Sequence, residues 1–350
     1  MGNKMLALRW HGRRDIRLDI VDIPTVDRPT DVLLAVEACG ICGTDIEEWR
    51  EGPIAIPAER VQREPQCPLV LGHEFCGRVI DAGRDAPFER GQLVAVEVNI
   101  PCGACAACRD QRSNNCPSIV ALGLQDDGGL AEFVVVPASS CIAVDGSVDP
   151  RVLAFAEPLA VAVHAVSRVD LRPRESIAIF GAGAIGLQIA LLLRNGGHSI
   201  TLVECSAARR ELATQLGFDA IDAELVGQKR AEFDVCFEAT GNPSAVSDAV
   251  DATRPGGTVV LLGVSTQDLG LSAWRLVEGE ISLISSKSHT MKDFAEAVEA
   301  LVSGAIDVSA LPLGLFPLED ALLAFSGVLA QPDAYAKRMM VAPPLMGTNG

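Results

Sequence analysis

Through the first 137 residues, apolar positions fall in short alternating runs: Leu6–Trp10, Asp31–Ala38, Gly77–Asp81, Leu93–Val98 and Glu132–Val136. A period of two, with Gly, Pro and Asp clusters at each break, predicts antiparallel, barrel-like β structure. Near Glu157 the period changes. Pro158–Val169 reads as a helix, followed by strands at Ser176–Phe180, Ser199–Val203, Asp234–Glu238, Thr258–Val264 and Ile281–Ile284. Helical patterns at Ala184–Asn195, Ala207–Gln215 and Ser244–Ala252 separate most of them. Repeated βα units predict a parallel, doubly wound sheet. A last helix is expected at Lys292–Ser303, and the polar, Pro-punctuated tail beyond it is too short for a third domain. The tail is therefore expected to rejoin the first domain. The organisation expected is a β domain over 1–155, a dinucleotide-fold domain over 156–288, and a return to the first domain over 289–350.

Composition narrows the functions available. With 49% hydrophobic and 21% charged residues, the 350-residue chain has the make-up of a folded protein and not of a disordered one. Its net charge of −17 opposes nonspecific contact with nucleic acid or an anionic membrane, so small molecules and other proteins are the expected partners. The sequence has no membrane-length apolar run, and its first 15 residues alternate charges, which predicts a cytoplasmic protein. Eleven cysteines, an odd number, point to metal ligation or burial before a disulfide framework.

Four of them, Cys102, Cys105, Cys108 and Cys116, form a C-x2-C-x2-C-x7-C loop with Pro101, Gly103 and Pro117. Four thiolates this close in sequence suit a closed, tetrahedral, structural Zn²⁺ site. The rival is an iron–sulfur cluster of the bacterial ferredoxin kind, whose last spacing is three residues and not seven. Farther along, Gly181-Ala182-Gly183-Ala184-Ile185-Gly186 follows the strand at 176–180 and opens a helix. Glu204 ends the next strand, 18 residues past Gly186. In a βαβ unit this is the dinucleotide fingerprint: one glycine for the turn, one for pyrophosphate approach, one for helix–strand packing. Glu204 at the adenosine ribose favours NAD over NADP, and Arg209 and Arg210 nearby work the other way.

Cys39-Gly-Ile-Cys42-Gly-Thr44-Asp45 lies upstream of Gly72-His73-Glu74. With the cysteine loop, G-G-L-A-E-F-V-V-V-P (128–137) and A-E-P-L-A (156–160), these segments resemble the zinc-dependent medium-chain alcohol dehydrogenases over nearly the whole chain. Within that family E-G-P-I-A-I-P (51–57), E-P-L-A-V-A-V-H-A-V (157–166) and D-A-T-R-P-G-G-T-V-V (251–260) are most similar to the polyol branch, which includes sorbitol, threonine and 2,3-butanediol dehydrogenases.

The resemblance implies a GroES-like catalytic domain with an inserted Rossmann domain, two zinc ions per chain, and a homodimer or homotetramer. Catalytic zinc would be held by Cys42 and His73 with Glu157 and Glu74, and Asp45 would fix the tautomer of His73. Thr44 would pass the alcohol proton outward. A relay histidine of the polyol branch is replaced by Glu47, which either carries the proton or is a solvated carboxylate. Gln111 stands where the family's cysteine loop often has Gly. Gly263 and Val264 would lie near the nicotinamide, and Arg338 near the pyrophosphate. The implied reaction is reversible hydride transfer between a secondary alcohol, a vicinal diol or polyol, and NAD, with the zinc acting as Lewis acid. An amino alcohol such as threonine, or a sugar or cyclitol alcohol, is the alternative substrate. A noncatalytic NAD-binding protein with only structural zinc is the alternative of another class.

His11, His164, His198 and His289 are expected to be structural, and Cys67, Cys76, Cys141, Cys205 and Cys236 to be small buried hydrophobes. Trp49 and Phe155 flank the proposed ligands. Ile281–Ile284 is a candidate edge strand for pairing between subunits.

Overall fold

The computed structural model describes residues 4–56, 68–265 and 267–343; Pro57, the last residue of the 51–57 motif, and Cys67 lie outside them. The chain forms two compact units, Met1–Glu157 with Thr290–Gly350, and Pro158–His289. The change of unit falls within a single helix, Ala156–Ser167. Among the described residues no helix is long and apolar enough to cross a membrane.

The first unit contains β1 (Lys4–Gly12), β2 (Asp15–Asp22), β3 (Asp31–Gly40), β4 (Leu69–Val70), β5 (Glu74–Ala82), β6 (Leu93–Val96), β7 (Asn99–Ile100), β8 (Val120–Ala121), β9 (Phe133–Pro137) and β10 (Cys141–Val144). A seven-stranded sheet is centred on β3, which pairs antiparallel with β5 and β9. Leu34, Val79, Val94, Val134 and Val136, with the buried Leu8 and Leu71, fill the core beneath it. The helix Gly43–Glu51 interrupts a region whose pattern predicts only strands and turns. It carries just Ile46 and Trp49 as large apolar residues, too few for a periodic signal, and starts from a reciprocal cap between Cys42 and Asp45.

The second unit is a parallel six-stranded sheet in the order β13-β12-β11-β14-β15-β16. Its strands are β11 (Ser176–Phe180), β12 (Ser199–Glu204), β13 (Asp219–Asp222), β14 (Phe233–Glu238), β15 (Thr253–Leu261) and β16 (Ser282–Ser285). The winding reverses between β11 and β14, the switch point at which such sheets bind dinucleotides. β15 starts five residues before the expected Thr258, because an irregularity in its pairing with β14 admits Thr253. It ends at Leu261, so Gly263 and Val264 lie in the loop beyond the strand.

The tail is less polar than its sequence suggested. β17 (Leu313–Phe316) and β18 (Lys337–Val341) are parallel neighbours. Between them Ala321–Ala330 is a helix, ALLAFSGVLA, that is apolar on nearly every face and so shows no period. β18 pairs antiparallel with β3, Met339 opposite Gly40 and Met340 opposite Cys39, which returns the tail to the first unit.

Candidate metal centres and dinucleotide site

β3 runs between β5 and β18, and the register sets Gly40 opposite both Glu74 and Met339. The chain leaves β3 through Ile41 into the N-terminus of the helix Gly43–Glu51, which places Cys42 at the N-cap. The Cys42 backbone N–H donates to Asp45 Oδ2 at 2.8 Å, and the other oxygen of Asp45 lies 3.3 Å from His73 Nδ1. One buried carboxylate thus caps the helix start and lies against the imidazole. Cys42 Sγ, a His73 ring nitrogen and a Glu74 oxygen all lie within 4.8 Å of one another. Glu157 is buried but falls outside that grouping. Thr44 Oγ1 is 3.7 Å from Cys42 Sγ. Glu47 points outward on the same helix, its carboxyl raised above the ordinary range by partial burial, with Glu48 adding to the effect and Arg50 opposing it.

The sequence reading missed Lys337. Its buried ammonium lies 2.5 Å from Glu74, and burial, which would depress it, is outweighed by Glu74, Cys42 and Glu157, so that it is raised. His73 shows the same balance: burial lowers it, and Asp45 and Cys42 raise it further. Gly40 makes the ion pair possible, since a Cβ there would overlap Glu74 Oε2 and press on Lys337 Cε. The only sequence sign of Lys337 was a lysine two residues before the apolar run Met339–Val341. Thiol, imidazole and carboxylate thus converge in a buried pocket that raises both of its basic groups. Such a soft-to-hard donor set fits Zn²⁺, with Cys42, His73 and Glu74 as holders and Glu157 near enough to act electrostatically.

The four-cysteine loop is a local construction. Cys105 is the N-cap of one helical turn, Ala106–Arg109, and Cys108 lies within it; Gly103 (φ +71°) and Gln111 (φ +58°) make the reversals on either side. All four sulfurs lie within 4.8 Å of one another, with Cys105 and Cys108 at 3.4 Å. Backbone N–H groups of Ala104 and Cys105 hold the Cys102 thiol down at about 6, while burial and the neighbouring thiols push Cys108 up to about 12. Four thiols at this spacing fit one tetrahedral Zn²⁺ and leave no position open, so the site is structural.

In the second unit the glycines do what the fingerprint requires. Gly181 turns at φ +99°, Gly183 is the N-cap of the helix Ala184–Leu193, and a Cβ on Gly186 would overlap Gly181 O. Ala184 and Ile185 form the first turn of that helix, whose free N–H groups favour an anionic pyrophosphate. Glu204 is buried and accepts from the Ala182 N–H at 2.9 Å and the Ser206 N–H at 2.8 Å. Arg209 Nη1 is 3.9 Å from the Glu204 carboxylate, while Arg210 pairs with Asp222 at 2.7 Å and donates to the Glu204 and Cys205 carbonyls at 2.7 and 2.8 Å. Gly263 is tightly packed and Val264 exposed. Arg338, in β18, donates to the carbonyls of Gly327 and Gln331 and stacks over Tyr335. Cys205, expected to be buried, is exposed: its Sγ donates to Glu204 at 3.2 Å, because the strand ends one residue earlier. Cys141 is only half-buried.

Comparison with known proteins agrees with this geometry. Residues 28–146 match the alcohol dehydrogenase GroES-like domain, and residues 184–303 match the zinc-binding dehydrogenase family. The chain is 33% identical over 297 residues to L-galactonate-5-dehydrogenase of Escherichia coli (strain K12), covering 82% of this chain and 84% of the relative. A zinc-binding dehydrogenase of Sinorhizobium meliloti 1021 bound to NADP superposes with a TM-score of 0.88 at 29% identity, over 97% of this chain and 100% of that one. The 2R,3R-butanediol dehydrogenase of Bacillus subtilis gives 0.86 at 28% identity, over 97% and 99%. The chain belongs to the zinc-dependent medium-chain alcohol dehydrogenase family, in its polyol branch, and is an oxidoreductase of CH–OH groups that uses zinc and a nicotinamide dinucleotide.

Proposed function

We propose that the protein reversibly oxidises a secondary alcohol whose neighbouring carbon also bears oxygen, a vicinal diol or polyol of the 2,3-butanediol kind, with NAD as hydride acceptor. The observation that carries this reading is the donor set at the first unit's buried site: one thiol, Cys42, with His73, Glu74 and the nearby Glu157. A set with carboxylates in place of a second thiolate is harder and suits oxygen-rich ligands. L-Galactonate and 2R,3R-butanediol, named for two relatives, share a secondary hydroxyl beside another oxygenated carbon.

Cys42, His73 and Glu74, with Glu157 beside them, would hold zinc, whose Lewis acidity would make the alcohol proton labile at neutral pH. Asp45 holds the His73 ring in place. Thr44 accepts the alcohol proton, and Glu47, whose raised carboxyl is the better matched to proton transfer, takes it to solvent. In the second unit Glu204 keeps lone pairs for the adenosine ribose hydroxyls and repels a 2′-phosphate, which favours NAD; Arg209 is the group that would soften this choice. Gly263 and Val264 serve the nicotinamide side.

We also read the protein as cytoplasmic, in keeping with thiols grouped as metal ligands, and as a homodimer or homotetramer. Edge strand β16, which carries the exposed Leu283, has a free side on which a second copy could pair, and the preceding helix exposes Trp274 and Val277.

The test is zinc content together with NAD-linked oxidation of 2,3-butanediol, a polyol panel and threonine. Two zincs per chain with NADH formed on diols supports the proposal. Turnover confined to threonine would replace the substrate class, and one zinc with no turnover on any alcohol would favour a noncatalytic NAD-binding protein.

A further inference from the structure

Two acids close strands at the carboxyl edge of the parallel sheet, Glu204 on β12 and Glu238 on β14, on either side of β11. Only the first belongs to the dinucleotide fingerprint. Glu238 is fully buried, and among the described residues no cation pairs with it. Its carboxylate is instead satisfied by one short turn of backbone. Glu238 Oε1 accepts from the Thr240 N–H at 2.8 Å, the Gly241 N–H at 3.1 Å and the Thr240 hydroxyl. Thr240 Oγ1 in turn accepts from the Asn242 N–H at 3.0 Å.

This turn touches both of its neighbours. Phe180, the residue before the first fingerprint glycine, lies opposite Glu238 in the sheet and accepts from the Ala239 N–H at 3.0 Å. A Cβ on Gly181 would lie 2.9 Å from Thr240 Cγ2. On the other side the Glu238 carbonyl accepts from the Leu262 and Gly263 N–H groups at 2.9 and 3.0 Å. A Cβ on Gly263 would overlap Gly241 N and sit 2.6 Å from Glu238 Oε2. Gly241 itself is in the left-handed region at φ +70°, which the carboxylate holds in place through the same N–H.

We propose that Glu238 is a positioning residue for the nicotinamide half of the cofactor. The inference rests on the reading of this unit as a nicotinamide-dinucleotide site. Glu204 marks the β12 side of the switch point as the adenosine side, so a cofactor crossing β11 places its other half against β14, where the exposed Thr240 and the adjacent Gly241 form the surface. A fully buried carboxylate gathering three donors onto one side chain fixes that surface more firmly than any one of those hydrogen bonds alone would.

The test compares two ligands on the intact protein. ADP-ribose carries the adenosine half and the pyrophosphate without the nicotinamide, and NADH carries both. Glu238→Gln should weaken NADH by about tenfold, as for hydrogen bonds to a charged group, and leave ADP-ribose within about twofold. Thr240→Val removes the hydroxyl donor alone and should weaken NADH by about threefold with ADP-ribose unchanged, whereas Thr240→Ser should restore wild-type binding. If Glu238→Gln fails to fold, the Thr240 pair carries the test. Equal weakening of both ligands would reduce Glu238 to a structural support, and unchanged NADH binding in both variants would also overturn the proposal. Wild-type protein that binds neither ligand would instead overturn the dinucleotide reading beneath it.

Discussion

Two groups of metal-ligating side chains lie in the first unit and are built in opposite ways. Cys102, Cys105, Cys108 and Cys116 come from one stretch of chain, and one helical turn flanked by two left-handed residues suffices to gather them. Cys42, His73, Glu74 and Lys337 come from three segments far apart in sequence, and only the pairing of β5, β3 and β18 brings them together. The local loop is exposed at Cys102 and half-buried at Cys105 and Cys108, while His73 and Glu74 are buried. A loop of thiols needs its ion to stay folded. The assembled site is positioned by the sheet, and Lys337 balances the charge of Glu74 within it. The difference separates a group that supports the fold from one that the fold supports.

The sharpest way to break this contrast is Cys42→Ala. Loss of one donor from the assembled site should lower kcat by on the order of 10³-fold or more, while NADH binding, which uses second-unit residues, stays within about twofold. Fluorescence titration with NADH beside steady-state kinetics reads both, and retained turnover would refute the zinc mechanism. Lys337→Met comes next. It leaves Glu74 buried without its cation, a loss of about 3–5 kcal/mol in metal-free protein and less in zinc-loaded protein, where the ion replaces the ammonium. Denaturant unfolding with and without zinc would show the gap; equal losses would mean that Glu74 does not face the metal.

Cys116→Ser attacks the other group. Cys116 is the one buried thiol of the four, and its loss should drop zinc from two ions per chain to one. The thermal midpoint should fall by on the order of 10 °C, while turnover measured well below that midpoint persists. A variant that is stable but inactive would reverse the roles assigned to the two centres.

What could be read in advance follows the same division. The cysteine loop, the Gly181–Gly186 turn and Glu204 declare themselves because each is encoded by spacing within one short segment. The helices expected at 207–215 and 244–252 and strands β11, β12 and β14 were likewise legible from their periods, to within a residue of where they lie. Lys337 was not, because its meaning depends on β18 crossing β3 at a glycine, a contact some 260 residues from Glu74 in sequence. Glu238 escaped for a related reason: a glutamate closing a strand is ordinary until three donors are seen turning back onto it. The helix Gly43–Glu51 lacked an apolar stripe, and the one at Ala321–Ala330 had apolar residues on every side, so neither offered a period to find.

Glu47 tests the outer edge of the assembled site by pH. Partial burial raises its carboxyl above the usual range. As a proton acceptor it works only when ionised, so kcat should rise with pH through that raised pKa. Glu47→Gln should flatten this ascending limb and lower the plateau by about tenfold. For stability the sign is the reverse: the advantage of the neutral, partly desolvated acid is lost as pH rises through the raised pKa, so the amide should be slightly more stable near neutrality. An unchanged pH profile would make Glu47 a solvated carboxylate and end the relay at Thr44.

The smallest effect belongs to the local loop. Gln111 sits at φ +58° just past the helical turn Ala106–Arg109, its N–H donating to Cys108 O at 3.1 Å. A side chain in the left-handed region costs about 1–2 kcal/mol, and glycine avoids it while adding about 0.5–1 kcal/mol of backbone entropy to the unfolded chain. Gln111→Gly should therefore stabilise by about 0.5–1 kcal/mol and raise the thermal midpoint by about 1 °C. The gain should reach the metal as well, because a loop that reverses without strain holds its four sulfurs together at less cost. Release of the structural zinc to a chelator should slow, while kcat and the zinc of the assembled site stay as they were. If turnover changed along with chelation, the two groups would be coupled, and the division between them would have to be drawn again.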